Sequence, residues 1–248
     1  MTGGKARAPQ GKRIYAIGDI HGCVGQLRDL LQQIAEDAAL APAAEPATEP
    51  AMGPVTENVL VTLGDYVDRG PDSRGVLEIL AGDALPGFTK VHLRGNHDAM
   101  MLDFLDNPDS GTLWLMNGGD ATCRSYWLEP TALPVELCHA LRKALPEAHL
   151  ALLRSLGLTH VEGDYLFVHA GLLPGRALAE QDPEDLMWIR DPFLYSTADH
   201  GYLVVHGHTP VSRPDRQANR IGIDTGACYG GDLTCLVLQD QEQRFLRA

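Results

Sequence analysis

Short apolar runs that stop on small polar residues dominate the hydrophobic pattern of this chain. Val59, Leu60, Val61, Thr62 and Leu63 form one such run, which ends at Gly64-Asp65. A β-branched and leucine-rich run of this kind reads as a buried strand whose carboxylate emerges where the sheet stops. Five more runs end alike: 13–17 in Gly18-Asp19-Ile20-His21-Gly22, 91–93 in Arg94-Gly95-Asn96-His97-Asp98, 165–168 in His169-Ala170-Gly171, 203–205 in His206-Gly207-His208-Thr209, and 221–223 in Asp224-Thr225-Gly226. Gly-Asp is ordinary turn chemistry, and turn preference accounts for one or two of these endings. It does not account for a series whose polar residues are consistently metal-ligand types. Ligands of open α/β sheets bind at the carboxyl ends of strands, so the six runs are expected to converge on one site.

Between the runs the period changes to that of helices. Leu27, Leu30, Leu31 and Ile34 predict a helix over 24–38, which makes a βα unit with the strand before it. Val76, Leu77 and Leu80 predict another over 73–80, and a third is expected over 98–105. Residues 39–54 repeat Ala, Pro and Glu without a period and read as a flexible surface insertion. From 111 to 155 the pattern is helical but irregular, with Pro134 and Pro146 near expected helix starts. This block is expected to form an α-rich cap beside the site. Within it Trp114, Asn117 and Trp127 are candidates for substrate contact, core packing being the commoner use of the tryptophans.

Runs 158–161 and 165–168, joined through Glu162-Gly163-Asp164, predict a β-hairpin. Further strands are expected at 203–205, 220–223, 233–238 and 244–246. So much β-structure after the helical block points to an α/β protein with two sheets flanked by helices.

Composition sets bounds on this reading. With 248 residues, 44% of them hydrophobic, the chain can bury a full core, and one domain over 1–248 is favoured. No apolar stretch reaches the length of a membrane span, and residues 1–12 lack the apolar segment of a signal peptide, so a cytoplasmic location is expected. Cys23, Cys123, Cys138, Cys228 and Cys235 are an odd, scattered set, which fits reduced thiols better than disulfides or a zinc site. A net charge of −13 disfavours nucleic-acid polymers and anionic membranes as partners. Plain solubility explains most surface acids, while some of the negative charge is expected to be neutralised by bound cations.

The chemistry follows from what Asp19, His21, Asp65, Asn96, His169 and His208 can do together. Asp-x-His at a strand end can place a carboxylate and an imidazole on one cation, and an uncharged Asn belongs in a mixed oxygen and nitrogen site. Two ions sharing Asp65 is the economical arrangement. Such ligands, without thiolate, suit Mn, Fe or Zn.

Taken in order, GDIHG, GDYVDRG, RGNHD, VHAG and GHTP resemble the signature set of the serine/threonine phosphoprotein phosphatase family within the calcineurin-like metallophosphoesterases, with the closest likeness to its bacterial and phage branch. The resemblance covers Gly18 to Gly231. It implies an αββα sandwich of two mixed sheets and two divalent metal ions, Mn foremost, with Fe and Zn as alternatives. Asp19, His21 and Asp65 hold one ion, and Asp65, Asn96, His169 and His208 the other. It also implies that a bridging hydroxide attacks phosphorus and that Arg69, Arg94 and Arg190 bind the phosphate. For Arg190, in Trp188-Ile189-Arg190, a surface salt bridge is the competing reading. His97 is similar to the family's general acid and Asp68 to its orienting partner. The substrate implied is a phosphorylated protein or a small phosphoester.

Among the other histidines, His139, His149, His160 and His200 are expected to be surface or locally bonded, His92 lies in a strand, and His206 is left unassigned. Cys228-Tyr229 stands where related phosphatases approach substrate. Cys-x5-Arg, Asp-x-Asp-x-Thr and P-loop patterns are absent, so a water nucleophile is expected. Two alternatives stay open. A symmetrical dinucleoside-tetraphosphate hydrolase shares GD-x-x-GC and GNHD but usually lacks the second Asp of GDYVDRG, here Asp68. A non-catalytic scaffold on the same fold would be signalled by lost ligands, and here every ligand position is filled.

Overall fold

Strands whose two faces are both apolar need cover on both sides, and this chain supplies it by stacking two sheets and placing helices outside each. The computed structural model describes residues 6–40, 54–130 and 133–248. The first sheet contains β1 (Lys12–Ile17), β2 (Glu57–Thr62), β3 (Thr89–His92), β9 (Thr234–Gln239) and β10 (Glu242–Arg247), in the order β10-β9-β1-β2-β3. The second contains β4 (Thr159–Glu162), β5 (Tyr165–Val168), β6 (Leu203–His206), β7 (Asp215–Arg216) and β8 (Arg220–Gly222), in the order β4-β5-β6-β8-β7. Both sheets are mixed. β1, β2 and β3 run parallel, β9 pairs antiparallel with β1 and β10 antiparallel with β9, and β5, β6 and β8 run parallel between antiparallel edges.

Alternation along each strand divides the apolar residues between layers. Ile14 and Ala16 of β1, Val59 and Val61 of β2, Tyr165 and Phe167 of β5 and Leu236 and Leu238 of β9 meet in the core between the sheets. Tyr15, Ile17, Leu60 and Val237 face the other way, against α1 (Val24–Ala39), α2 (Ser73–Ala81), α3 (Asn96–Asp106) and the cap. The cap comprises α4 (Gly111–Trp114), α5 (Asp120–Ser125), α6 (Pro134–Ala144) and α7 (Glu147–Ser155). Leu166, Val168 and Val204 back onto α8 (Pro183–Trp188) and α9 (Asp191–Leu194), completing the fourth layer.

Several boundaries differ from the sequence expectation for identifiable reasons. The third helix starts at Asn96, two residues early, because Gly95 takes an extended conformation and Asp98 folds back to accept its N–H at 2.9 Å. The hairpin turn is two residues, since Glu162 pairs with Tyr165 and Gly163 supplies the left-handed backbone. β3 lies over 89–92, ahead of the expected run, and Leu93 makes only an isolated bridge to Gly157. β7, α8 and α9 are too short to carry a period. Of the expected insertion, Ala39 closes α1 and residues 41–53 lie outside the described residues. All five cysteines are free thiols, and no helix among the described residues is long and apolar enough to cross a membrane.

Candidate metal centre and active site

The parallel strands of both sheets end at one edge, and the loops that follow them carry the chemistry. Sharp reversal into these loops forces unusual backbone. His21, Asp65, Asp68, Arg69 and His208 are non-glycine residues with φ between 43° and 73°. Such left-handed residues persist only where surrounding contacts over-determine them. Here one carboxylate does much of that work. Asp98 is fully buried and accepts the N–H groups of Asp65 at 2.8 Å, Tyr66 at 3.0 Å and Gly95 at 2.9 Å, so it locks the GDYVDRG loop to the GNHD loop.

Gly95 permits this contact because a Cβ there would fall onto the backbone nitrogen and Oδ1 of Asp65. Gly95→Ala is therefore expected to cost about 1–3 kcal/mol as an overpacked substitution and to displace Asp65. Thermal unfolding should show a lowered Tm and elemental analysis a reduced metal content. Unchanged values in both would mean that the two loops are not in register through this contact.

Asp65 is the meeting point of the site. His21 Nε2 lies 3.3 Å from its Oδ2 and His169 Nε2 lies 3.5 Å away. The tautomers are fixed from behind, because His21 Nδ1 lies 2.8 Å from Val67 O and His169 Nδ1 lies 3.0 Å from Leu63 O. A carbonyl can only accept, so each Nδ1 carries the proton and each Nε2 turns a lone pair inward. His169 Nε2 also lies 3.0 Å from Asn96 Oδ1, which His208 Nδ1 approaches at 2.9 Å. The His169 Nε2 lone pair thus faces two acceptor oxygens, Asp65 Oδ2 and Asn96 Oδ1, with no proton to join them, and that of His21 faces Asp65 Oδ2 beside the Arg69 guanidinium. A cation satisfies that arrangement, and the oxygen and nitrogen donors suit a borderline divalent metal. Possible ligand atoms cluster within 4.8 Å in two groups, His21-Asp65-His97 and Asp65-His169-His208.

The electrostatics agree with cation binding. Burial works to raise the Asp65 carboxyl, whereas positive charge at the His169, His97 and His21 positions and the hydrogen bond from the His97 amide work to lower it. Burial lowers His21 to about 3 and also depresses His169 and His208, keeping these imidazoles neutral. Asp19 is pushed well above its ordinary value by burial and by the Asp224 and Asp65 charges, and burial pushes Asp224 up to about 6. Buried acids of one sign in so small a volume need positive charge to ionise together.

The six sequence-predicted ligands all reach this edge, with one difference in grouping. His97 stands in the His21-Asp65 cluster, whereas the Asp19 carboxylate is turned to accept the His208 backbone N–H at 3.1 and 3.0 Å. His97 is buried, with Nδ1 2.8 Å from Asp68 Oδ2, and its Nε2 meets no hydrogen-bond partner among the described residues. Arg69 places Nη1 2.6 Å from His21 Nε2 and lays its guanidinium 5.6 Å from the centre of the exposed Tyr229 ring. Arg94 is half-buried with its Nε unpaired among the described residues. Arg190 is exposed at the start of α9, and after burial and His169 its charge is among those that disfavour a proton on His208.

Other residues depart from expectation. Trp114 is buried and Trp127 is 80% exposed beneath Arg74, so only one of the two serves the core. Asn117 donates to Leu113 O at 2.8 Å. His149 is buried between Tyr126 and Glu78, and His206 lies on the face of β6 that meets Phe193, beside Arg220 and away from Asp65. Asp98, Asp224 and Thr122 belong to the site without a role assigned from sequence, and Trp114, a candidate for substrate contact there, instead donates to Asp68. Asp98 had a visible signal as the last residue of RGNHD and Asp224 as the end of an apolar run; Thr122 had none beyond residue type.

Comparison with known proteins agrees with this geometry. The calcineurin-like phosphoesterase family matches residues 12–239. Serine/threonine-protein phosphatase 1 of Salmonella typhimurium is 32% identical over 95% of this chain and 96% of its own. The asymmetrical bis(5'-nucleosyl)-tetraphosphatase of Bacillus subtilis is 30% identical over 88% of this chain and 87% of its own. A crystal structure of a cold-active protein-tyrosine phosphatase from a psychrophilic Shewanella shares the fold, with a TM-score of 0.55 at 18% identity over 97% of this chain and 83% of that one. With its metal-binding residue types gathered at the sheet edge, the chain belongs to the calcineurin-like phosphoesterase family, a family of phosphoester hydrolases that use divalent metals.

Proposed function

We propose that the chain, residues 1–248, is one catalytic domain that hydrolyses phosphomonoesters, with phosphoserine and phosphothreonine proteins as its principal substrates. The observation that carries the reading is the Asp68-His97 pair at 2.8 Å, set beside the Asp65 cluster with His97 Nε2 left without a partner among the described residues. In this reading Asp19, His21 and Asp65 hold one divalent ion, and Asp65, Asn96, His169 and His208 hold a second, Mn being the first candidate. Such ions would supply Lewis acidity and an acidified water as nucleophile. Arg69, Arg94 and Arg190 present paired donors to the phosphate oxygens and offset charge developing on them. Asp68 orients His97, which hands its Nε2 proton to the departing alkoxide.

The full-length likeness to a bacterial serine/threonine-protein phosphatase supports a protein substrate. A second reading is supported by the tetraphosphatase relative, which is named an asymmetrical enzyme where the alternative read from sequence is symmetrical. A hydrolysis panel on Mn-loaded protein separates the two. Turnover should be greatest on phosphoserine and phosphothreonine peptides, lower on mononucleotides and lowest on diadenosine tetraphosphate. Preference for diadenosine tetraphosphate would overturn the protein-phosphatase reading, and the split between symmetrical and asymmetrical products would then name the activity.

A further inference from the structure

The cap turn between α4 and α5 reaches into the site without touching a metal ligand. From Trp114 the chain passes through a widened turn, Leu115–Gly119, in which Gly118 takes φ 103°, and re-enters helix at Asp120. A widened turn with a kink is a common marker of function inside a helix. Here it changes which side chains can meet. Along an unbroken helix, positions eight apart are separated by about 12 Å of rise, yet Trp114 and Thr122 contact one carboxylate, that of Asp68.

The contacts are specific. Trp114 Nε1 donates to Asp68 Oδ1 at 3.1 Å and Oδ2 at 3.0 Å, and Thr122 Oγ1 donates to Oδ1 at 2.7 Å. Thr122 Oγ1 also accepts the Asp68 N–H at 2.8 Å. Because its single proton is spent on Asp68, the contact with Ser73 Oγ at 2.9 Å is donated by Ser73. The two glycines make this approach feasible. Gly118 O accepts the Arg69 N–H at 3.1 Å, and a Cβ on Gly118 would lie 2.9 Å from that nitrogen. A Cβ on Gly119 would run into the Trp114 indole. Trp114 is itself 1% exposed and stacked on Phe104 at 4.9 Å, so it cannot serve as a substrate contact.

We propose that Trp114 and Thr122 are positioning residues for the proton donor, holding the Asp68 carboxylate in the one orientation that points His97 Nε2 at the leaving oxygen. This rests on the reading of His97 and Asp68 as the acid pair. Without the two donors Asp68 Oδ1 loses its side-chain partners, and the carboxylate is free to turn about its Cβ–Cγ bond away from His97 Nδ1.

The test uses Thr122→Val, Thr122→Ser and Trp114→Phe in the full chain at equal metal content, each assayed on a phosphoserine peptide and on p-nitrophenyl phosphate. Hydrogen bonds to charged groups are individually strong, so Thr122→Val and Trp114→Phe are each expected to lower kcat on the peptide about ten-fold while KM and p-nitrophenyl phosphate turnover stay within about two-fold. Thr122→Ser should restore the peptide rate. Combining either variant with His97→Asn should add no further loss, because positioning acts through His97. Equal losses on both substrates, no loss on the peptide, or additive losses in the double variants would overturn the proposal. Should Thr122→Val fail to fold, Trp114→Phe, which keeps an aromatic ring in the stack, decides alone. Selective loss in His97→Asn itself reports on the underlying reading, so the two can fail separately.

Discussion

Asp65→Asn is expected to abolish turnover and to strip the centre of metal without unfolding the protein. The carboxylate faces the Nε2 lone pairs of His21 at 3.3 Å and His169 at 3.5 Å, and both rings are held in place by backbone carbonyls behind them. The amide of Asn keeps an oxygen for the His97 N–H that Asp65 Oδ1 accepts at 2.9 Å, while its NH2 takes the place of Oδ2. That NH2 donates to the two lone pairs that a cation would otherwise fill, and the central negative charge is gone. Activity should fall by more than the roughly 10² to 10³-fold typical of losing one electrostatic stabiliser. Because a ligand that binds only the folded state raises apparent stability, chelator should lower the Tm of the wild type and leave that of Asp65→Asn nearly unmoved. Elemental analysis showing two metals retained per chain would contradict the shared-carboxylate reading.

A second large effect is expected from His97→Asn, and it should depend on the leaving group. Protonating the departing oxygen matters for a serine alkoxide, which is strongly basic, and little for p-nitrophenolate. General acid catalysis is commonly worth roughly 10² to 10⁴ in rate, so the variant should lose about that much on a phosphoserine peptide and far less on p-nitrophenyl phosphate, with KM little changed. Asp68→Asn should show the same selectivity in weaker form. Metal content must be matched, since His97 lies in the His21-Asp65 cluster and a depleted site would mimic the effect. Equal losses on both substrates at full occupancy would sink the general-acid role and leave His97 as a group that merely positions.

Legibility of the site in the sequence follows the range of the interactions. Asp19, His21, Asp65, Asn96, His169 and His208 were readable as candidate ligands because each sits within a few residues of a strand's end, and strand and candidate form one local pattern. Two sheets were readable because excess β after the helical block could not extend a single βαβ series. His206 shows the limit: two residues before His208 on paper, it lies on the strand face under Phe193, and its bonds to Gly207 O and Arg220 hold it there. Trp114 and Thr122 lie 46 and 54 positions from Asp68, and only a widened turn with a left-handed Gly118 brings them together. No spacing rule encodes that. Asp98 was visible within RGNHD but its role was not, since an acid in the first turn of a helix is common and its three accepted N–H groups come from loops that meet only in the folded chain.

The pairing of β1 with β9 sets the time at which a chain emerging from the ribosome can become active. Every proposed ligand has been synthesised by His208, but the loop that carries Asp19 is tied by its Gly18 N–H to Thr234 O at 3.1 Å, and β1 registers against β9 from Arg13↔Gln239 to Ile17↔Cys235. Pairings between distant parts of a chain form slowly. A stalled chain that carries every proposed ligand but stops before Thr234 therefore holds them on an incomplete first sheet, and in ribosome-bound chains given a C-terminal extension long enough to span the exit tunnel, phosphate-ester turnover should begin only once residues 234–239 are also outside it.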